Sequence, residues 1–239
     1  MIIHKYDGRF ANQVIQYLLI KYYSIKYKNP TNFIKGNFQI FPSVIEYDNQ
    51  EIEKFNPDVT YQSHDAIDYN TYYENILFKN FFGMNPLNFE VVTDEVAKNI
   101  LPIKPIENNF KEGDVICCLR GGDIITIDHG LYSVVSSEFY IKTIIKYKFE
   151  RVFILGELNH PVTMNIANEI KSKIPNTTIL PMQTVEEDFM TFFSCPNLIG
   201  SYSSFYWLAA FLSHKNYAIF PSGKLMDKLY YNKFIYEDL

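Results

Sequence analysis

Short apolar runs alternate with amphipathic stretches through the second half of the chain. Val115-Ile116-Cys117-Cys118-Leu119, bounded by Gly113-Asp114 and Gly121-Gly122, reads as a strand buried on both faces. Further runs follow at 152–155 (stopped by Gly156), 177–180, 197–200 and 217–220. Between them, 137–146, 162–174, 185–193 and 204–213 carry helical periodicity. Strands alternating with helices of this length imply βαβ units and a doubly wound parallel sheet, an α/β fold.

The first half has fewer clean periods. Residues 1–5 suit a strand, 12–26 a long helix and 94–100 a short one, but the stretch from Asn29-Pro30 to Phe89 is aromatic- and Asn-rich without a clear period. Pro102, Pro105 and Asn108-Asn109 mark 102–112 as a linker. The expected organisation is a small, irregular N-terminal lobe over 1–104, a second lobe over 105–225, and a tail over 226–239 packing back on the first lobe.

Composition narrows the class. With 47% hydrophobic and 21% charged residues the chain is globular. A net charge of −5 with no long basic run argues against a nucleic-acid binder. No run approaches the ~18 apolar residues of a membrane span, and His4, Lys5 and Asp7 interrupt any secretory leader core. The three cysteines, Cys117, Cys118 and Cys195, include an adjacent pair and no C-x-x-C, so free core thiols in a reducing compartment are expected. A cytoplasmic protein without a transmembrane segment follows, with peripheral membrane contact left open. Only three of the 22 basic residues are arginine: Arg9, Arg120 and Arg151. Where lysine is so favoured, each arginine raises the question of what a planar, bidentate cation does there.

Three turns carry the candidate chemistry. In Asp7-Gly8-Arg9-Phe10-Ala11-Asn12-Gln13, a glycine turn leads from a strand into a helix whose first N–H groups can meet an anion, with Asn12 and Gln13 as orienting groups; an ordinary loop capped by Asn12 is the alternative. Arg120-Gly121-Gly122-Asp123 lies past the carboxyl end of a predicted strand, where open α/β sheets bind ligands. An arginine there can grip a phosphate with two N–H groups. In Gly200-Ser201-Tyr202-Ser203-Ser204-Phe205, hydroxyls precede a helix start and suit an anion as well as a simple cap. Arg151 precedes a strand in a Lys/Glu-rich stretch and reads as a surface residue. No Walker-type sequence is present, which disfavours an ATPase.

Together these segments resemble the inverting α-1,2-fucosyltransferases and, more distantly, the O- and α-1,6-fucosyltransferases. The family's G-R-L/F-G-N-Q-x-F-Q-Y is mostly matched by residues 8–17. Its H-x-R-R-G-D aligns with Cys118-Leu119-Arg120-Gly121-Gly122-Asp123, and its D-x-x-L-M-S-x-C…I-x-S-N-S-S-F-S-W-W-x-A with 188–195 and 201–210. The resemblance implies a GT-B-like pair of Rossmann lobes, a GDP-fucose donor, a glycan acceptor bound on the N-terminal side, and no metal ion or other cofactor. It implies that Arg120 holds the donor phosphates and is catalytic together with Asp123 and Asn12, that Gly121, Gly122, Ser203, Ser204 and Phe205 form the donor site, that Glu157 contacts the nucleotide, and that Gly8 and Arg9 bind the donor by facing the cleft, with Asn12, from the first lobe. Two positions depart from the pattern: Cys118 stands for the histidine and Gly121 for the second arginine.

Inverting transfer requires positive charge at the leaving diphosphate and an acceptor hydroxyl on the opposite face of the sugar. Asp123, Asp7, Asp128 and His129 lie in or near the turns and are candidates for the base, with Asp123 favoured for a positioning role. His4, His64, His160 and His214 are isolated and read as structural or exposed. Two alternatives remain at this level: the same scaffold using another UDP- or GDP-linked sugar, and an inactive nucleotide- or glycan-binding module.

Overall fold

In a computed structural model, which describes residues 1–6, 8–34, 55–107, 109–126 and 130–239, the chain divides into two units, 1–102 and 103–239. The first contains β1 (Ile2–Lys5), α1 (Phe10–Tyr27), β2 (Thr31–Ile34), β3 (Val59–Ser63), β4 (Ile76–Phe81), α2 (Pro86–Val91) and α3 (Asp94–Ile100). Among the described residues its strands form one parallel sheet in the order β2-β1-β4-β3. Ile2 and Ile3 of the central β1 are buried, as are Phe10, Val14, Leu18 and Leu19 along α1. Lys28 ends α1 in the left-handed conformation, its N–H meeting the carbonyls of Ser24 and Ile25. Asn85 and Thr93 cap α2 and α3 through side-chain oxygens.

His4 sits in the middle of this core, fully buried, with Nε2 3.0 Å from Gln16 Oε1. Burial pushes its pKa down to about 3. It is a neutral packing residue, as its isolation in the sequence implied.

The second unit contains β5 (Asp114–Leu119), α4 (Asp123–Thr126), α5 (Ser137–Tyr147), β6 (Arg151–Gly156), α6 (Pro161–Lys173), β7 (Thr177–Ile179), α7 (Val185–Ser194), β8 (Asn197–Ile199), α8 (Ser204–Leu212), β9 (Tyr217–Pro221), α9 (Leu225–Lys228) and β10 (Ile235–Glu237). Among the described residues the strands form a parallel sheet in the order β10-β9-β8-β5-β6-β7. The chain adds strands on one side of β5, then returns to add β8, β9 and β10 on the other. The β5/β8 boundary is therefore a topological switch point, with a ligand crevice expected beyond its carboxyl ends. The tail, expected to pack back on the first lobe, contributes β10 to the second unit's own sheet, with Ile235 opposite Ile219.

Every residue of β5 is buried, which accounts for its unbroken apolar run. At its start the Asp114 carboxylate accepts from Arg151 Nε (2.7 Å) and Nη2, and from the Lys111 amide (2.6 Å), while Arg151 Nη2 also reaches Asn109 O (2.9 Å). Arg151 thus ties β6 to β5 at the amino ends of the strands, away from the switch-point crevice. Lys215 Nζ donates to the carbonyls of Phe192 (2.7 Å), Phe193 (2.9 Å) and Cys195, satisfying the carboxyl end of α7. Burial lowers its pKa to about 8.

Candidate functional site

Three hydrogen bonds fix the end of β5. Tyr140 Oη donates to Cys118 O (2.8 Å), Tyr206 Oη to Leu119 O (2.8 Å), and the Glu157 amide to Leu119 O (2.9 Å). The strand cannot fray, and the next residue, Arg120, emerges at the switch point. Its side chain is only 13% exposed. The guanidinium lies over the Tyr132 ring at 4.5 Å, Nη2 donates to Asp123 Oδ1 (3.3 Å), and Nη1 makes a long contact to Tyr202 O (3.5 Å) just past β8. Nε is buried with no acceptor among the described residues. A guanidinium offers five N–H donors, and here the pairings are long or missing. It is a held cation with bonding capacity left over.

The glycines beside it are shaped by α6. Gly122 has φ +59°, a conformation that favours glycine. A Cβ on Gly121 would fall 2.9 Å from Thr163 Cγ2 and 3.1 Å from Glu157 O. Thr163 is itself fixed, its hydroxyl donating to Glu157 O at 2.7 Å. Any side chain at this position would force Thr163 or the Glu157 backbone to shift. Glu157 closes over the loop, Oε2 accepting the Gly121 N–H at 2.9 Å.

On the β8 side, the Ser203 side chain accepts from the Phe205 amide (3.2 Å) and caps α8, and its own O–H remains a donor. Ser203 and Ser204 are buried. Phe205 packs against Phe189 (5.5 Å) and Phe192 (5.9 Å), so much of its ring belongs to the α7–α8 contact. The structure therefore gathers Arg120, Gly121, Gly122, Asp123 and Glu157 into one loop cluster, and Arg120 also touches the Tyr202 segment that leads to Ser203 and Ser204.

The first unit has its own strand-to-helix turn. Gly8 has φ +76°, and a Cβ there would sit 2.4 Å from Asn12 Nδ2. Gln13 Nε2 donates to Gly8 O at 2.8 Å. Arg9 is exposed at the N-cap position of α1 and makes no capping bond. Gln13 thus ties the turn to α1, and Asn12 packs close to Gly8.

Several candidates change meaning. Cys118 is fully buried, its thiol pKa raised by desolvation and its Sγ 3.8 Å from Ile116 O, so it does not replace a histidine donor. His160 caps α6 by accepting the Val162 amide at Nδ1 (3.2 Å). Asp7, Asp128 and His129 lie outside the described residues. Tyr132 was not singled out in the sequence, since nothing in its periodicity brings the loop after α4 to the end of β5; Tyr202 lies in the predicted serine turn, where its contact with Arg120 could not be read. No group of three His, Cys, Asp or Glu among the described residues is placed to hold a metal ion, and no helix among them is long and apolar enough to cross a membrane.

No protein-family model matches the sequence, and no curated protein matches it. Solved structures do. The chain is similar in fold to NodZ α-1,6-fucosyltransferase soaked with GDP-fucose, with TM-score 0.54 and 10% identity over 89% of this chain and 92% of that one. It is equally similar to E. coli heptosyltransferase WaaC with ADP, with TM-score 0.54 and 11% identity over 99% of this chain and 92% of that one. At this identity the likeness is one of fold. The α/β architecture with two parallel-sheet units is that of these GT-B glycosyltransferases.

Proposed function

We propose that this protein is a nucleotide-sugar glycosyltransferase, and specifically an inverting enzyme that moves L-fucose from GDP-fucose to a sugar hydroxyl of a glycan. The observation that carries the reading is Arg120: a mostly buried guanidinium at the switch point, with a desolvated Nε that has no acceptor among the described residues. The sequence motifs and a fold shared with a fucosyltransferase support it. As the sugar–phosphate bond breaks, charge grows on the leaving diphosphate, and a fixed cation in a water-poor site stabilises it without reorganising. Ser203 and the first N–H groups of α8 add neutral donors. Asp123 orients Arg120 through Nη2, which fits positioning better than proton abstraction. The first unit is proposed to serve the acceptor side, with Gly8 and Arg9 reaching the donor and Asn12 acting in catalysis.

We assign neutralisation of the diphosphate to protein groups without a metal ion. Undiminished transfer in EDTA supports that assignment; activity lost in EDTA and restored by Mg²⁺ or Mn²⁺ overturns it. Incubating the protein with GDP-fucose and a glycan array, read by mass, tests the function: an added deoxyhexose is expected, and GDP-fucose left intact on every glycan contradicts it. A second reading, transfer from another nucleotide sugar, is favoured by Gly121, which lacks the family's second arginine, and by the equal fold likeness to a heptosyltransferase with ADP. Thermal stabilisation by ADP or UDP but not GDP would select it.

A further inference from the structure

Lys224, in the loop after β9, has φ 53° and ψ −126°, a conformation that strains any residue with a Cβ. The loop is pinned from several sides. Tyr202 Oη donates to Ser222 O (2.8 Å), the Ser222 amide to Glu237 O (2.8 Å), and the Leu225 amide to Leu131 O (3.0 Å). Leu131 precedes Tyr132, whose ring carries Arg120, and Tyr202 is the residue whose carbonyl Arg120 meets. The pinned loop therefore belongs to the surroundings of Arg120. Lys224 itself is exposed, with Nζ 5.7 Å from the centre of the Tyr202 ring.

Charge gives this placement its meaning. Around the glycine loop, Arg120 Nη2 meets the Asp123 carboxylate and the Glu157 carboxylate accepts the Gly121 N–H. Among the described residues of this loop cluster, two carboxylates stand with one guanidinium, a balance that opposes binding of a diphosphate. The residue beside Arg120 cannot supply the missing cation, because a Cβ on Gly121 meets Thr163 and Glu157. We propose that Lys224 is the second cation of the phosphate site, perched on Tyr202 and swinging from the ring to the bound diphosphate. The Tyr202 ring is buried, but the ammonium is exposed and lies 5.7 Å from the ring centre, close to the outer limit of about 6 Å for a cation–π contact, so the perch is weak enough to leave, and a flexible four-carbon stem supplies the reach. The strained backbone persists because the loop is pinned and the lysine is needed there.

This inference rests on reading the site as one for a nucleoside diphosphate, and the test separates the two. Binding of GDP, ADP, UDP and guanosine is measured by calorimetry for wild type, Arg120→Ala, Lys224→Gln, Lys224→Arg and Lys224→Gly. Lys224→Gln is expected to weaken the best nucleoside diphosphate about tenfold while leaving guanosine affinity unchanged, and Lys224→Arg to retain binding. Lys224→Gly removes charge and strain together, so it should bind as poorly as Lys224→Gln yet melt at a higher temperature than wild type. If wild type binds none of the diphosphates, the site reading and the proposal both fall. Should wild type bind and Arg120→Ala not, while Lys224→Gln binds like wild type, the site stands and the role of Lys224 is overturned. Equal weakening of guanosine and diphosphate also overturns it.

Discussion

Each unit opens with a buried parallel strand, a turn containing glycine, and an arginine, and the two arginines end in different surroundings. Arg9 is exposed at the head of α1, in a turn that Gln13 ties to the helix and Asn12 packs against. Arg120 is 13% exposed, lies on Tyr132, and touches Asp123 and the Tyr202 carbonyl across the switch point. The same address in a strand–turn–helix unit can hold a self-supporting turn or a cation set for an anion. What separates them is the neighbouring strand: β5 lies beside β8, whose following loop returns to meet the arginine.

The most direct way to sharpen that contrast is a matched pair of variants. Arg120→Lys should lower transfer by about 100- to 1000-fold, the range for removing a preorganised charge donor, with an unchanged melting temperature. Arg9→Lys should change it by only a few-fold. Turnover of the Arg120 variant close to wild type would put the two turns on an equal footing and remove the contrast.

Restoring the family's second arginine gives the next effect. Gly121→Arg forces a Cβ against Thr163 and the Glu157 carbonyl, and overpacking of this kind costs about 1–3 kcal/mol. Chemical denaturation should show that loss without a gain in transfer. A stable, more active variant would mean that the loop yields and that packing does not explain the glycine.

The first unit carries a different signature, in pH. His4 titrates at about 3 when folded against an ordinary 6.5, so between those values the unfolded chain binds the extra proton and stability falls as pH drops. The slope is about 1.4 kcal/mol per pH unit for one proton. Unfolding measured across this window should be less pH-dependent in His4→Gln by about one proton; parallel curves would contradict the buried neutral histidine. The smallest effect is expected at Arg151→Lys. It loses the two-pronged bond to Asp114, so the melting temperature should drop slightly while transfer stays near wild type. A large loss of transfer would bring Arg151 into the site.

The second unit was legible because buried parallel strands read as unbroken apolar runs and its helices begin at Ser136, Thr184 and Ser203, each a side-chain cap. In the first unit, β3 buries only Tyr61 of its five residues, and β4 is interrupted by exposed Lys79 and Asn80, so neither shows a clear period. β10, half-buried at every residue and polar at Glu237, lacks the apolar run that marks the equally short β7 and β8. At the site, Arg120 and its glycines were visible as a motif. Tyr132 and Lys224 were not, because they come to Arg120 and Tyr202 through loops whose paths depend on tertiary packing, and Tyr202 was visible only as part of the serine turn. Gly121 was visible as a missing charge, but its cause, the packing of Thr163 at the start of α6, appears only in three dimensions. Arg151 looked like a surface charge, because its partner Asp114 lies 37 positions away on the neighbouring strand.

The central claim, that the second unit holds a nucleoside diphosphate at Arg120, is tested most directly by comparing wild type and Arg120→Lys in a thermal-shift titration with GDP, ADP and UDP. At least one of them, GDP foremost, is expected to raise the melting temperature of wild type, with the shift largely lost in the variant although both melt alike without ligand. No shift with any of the three, or the same shift in both proteins, would contradict it.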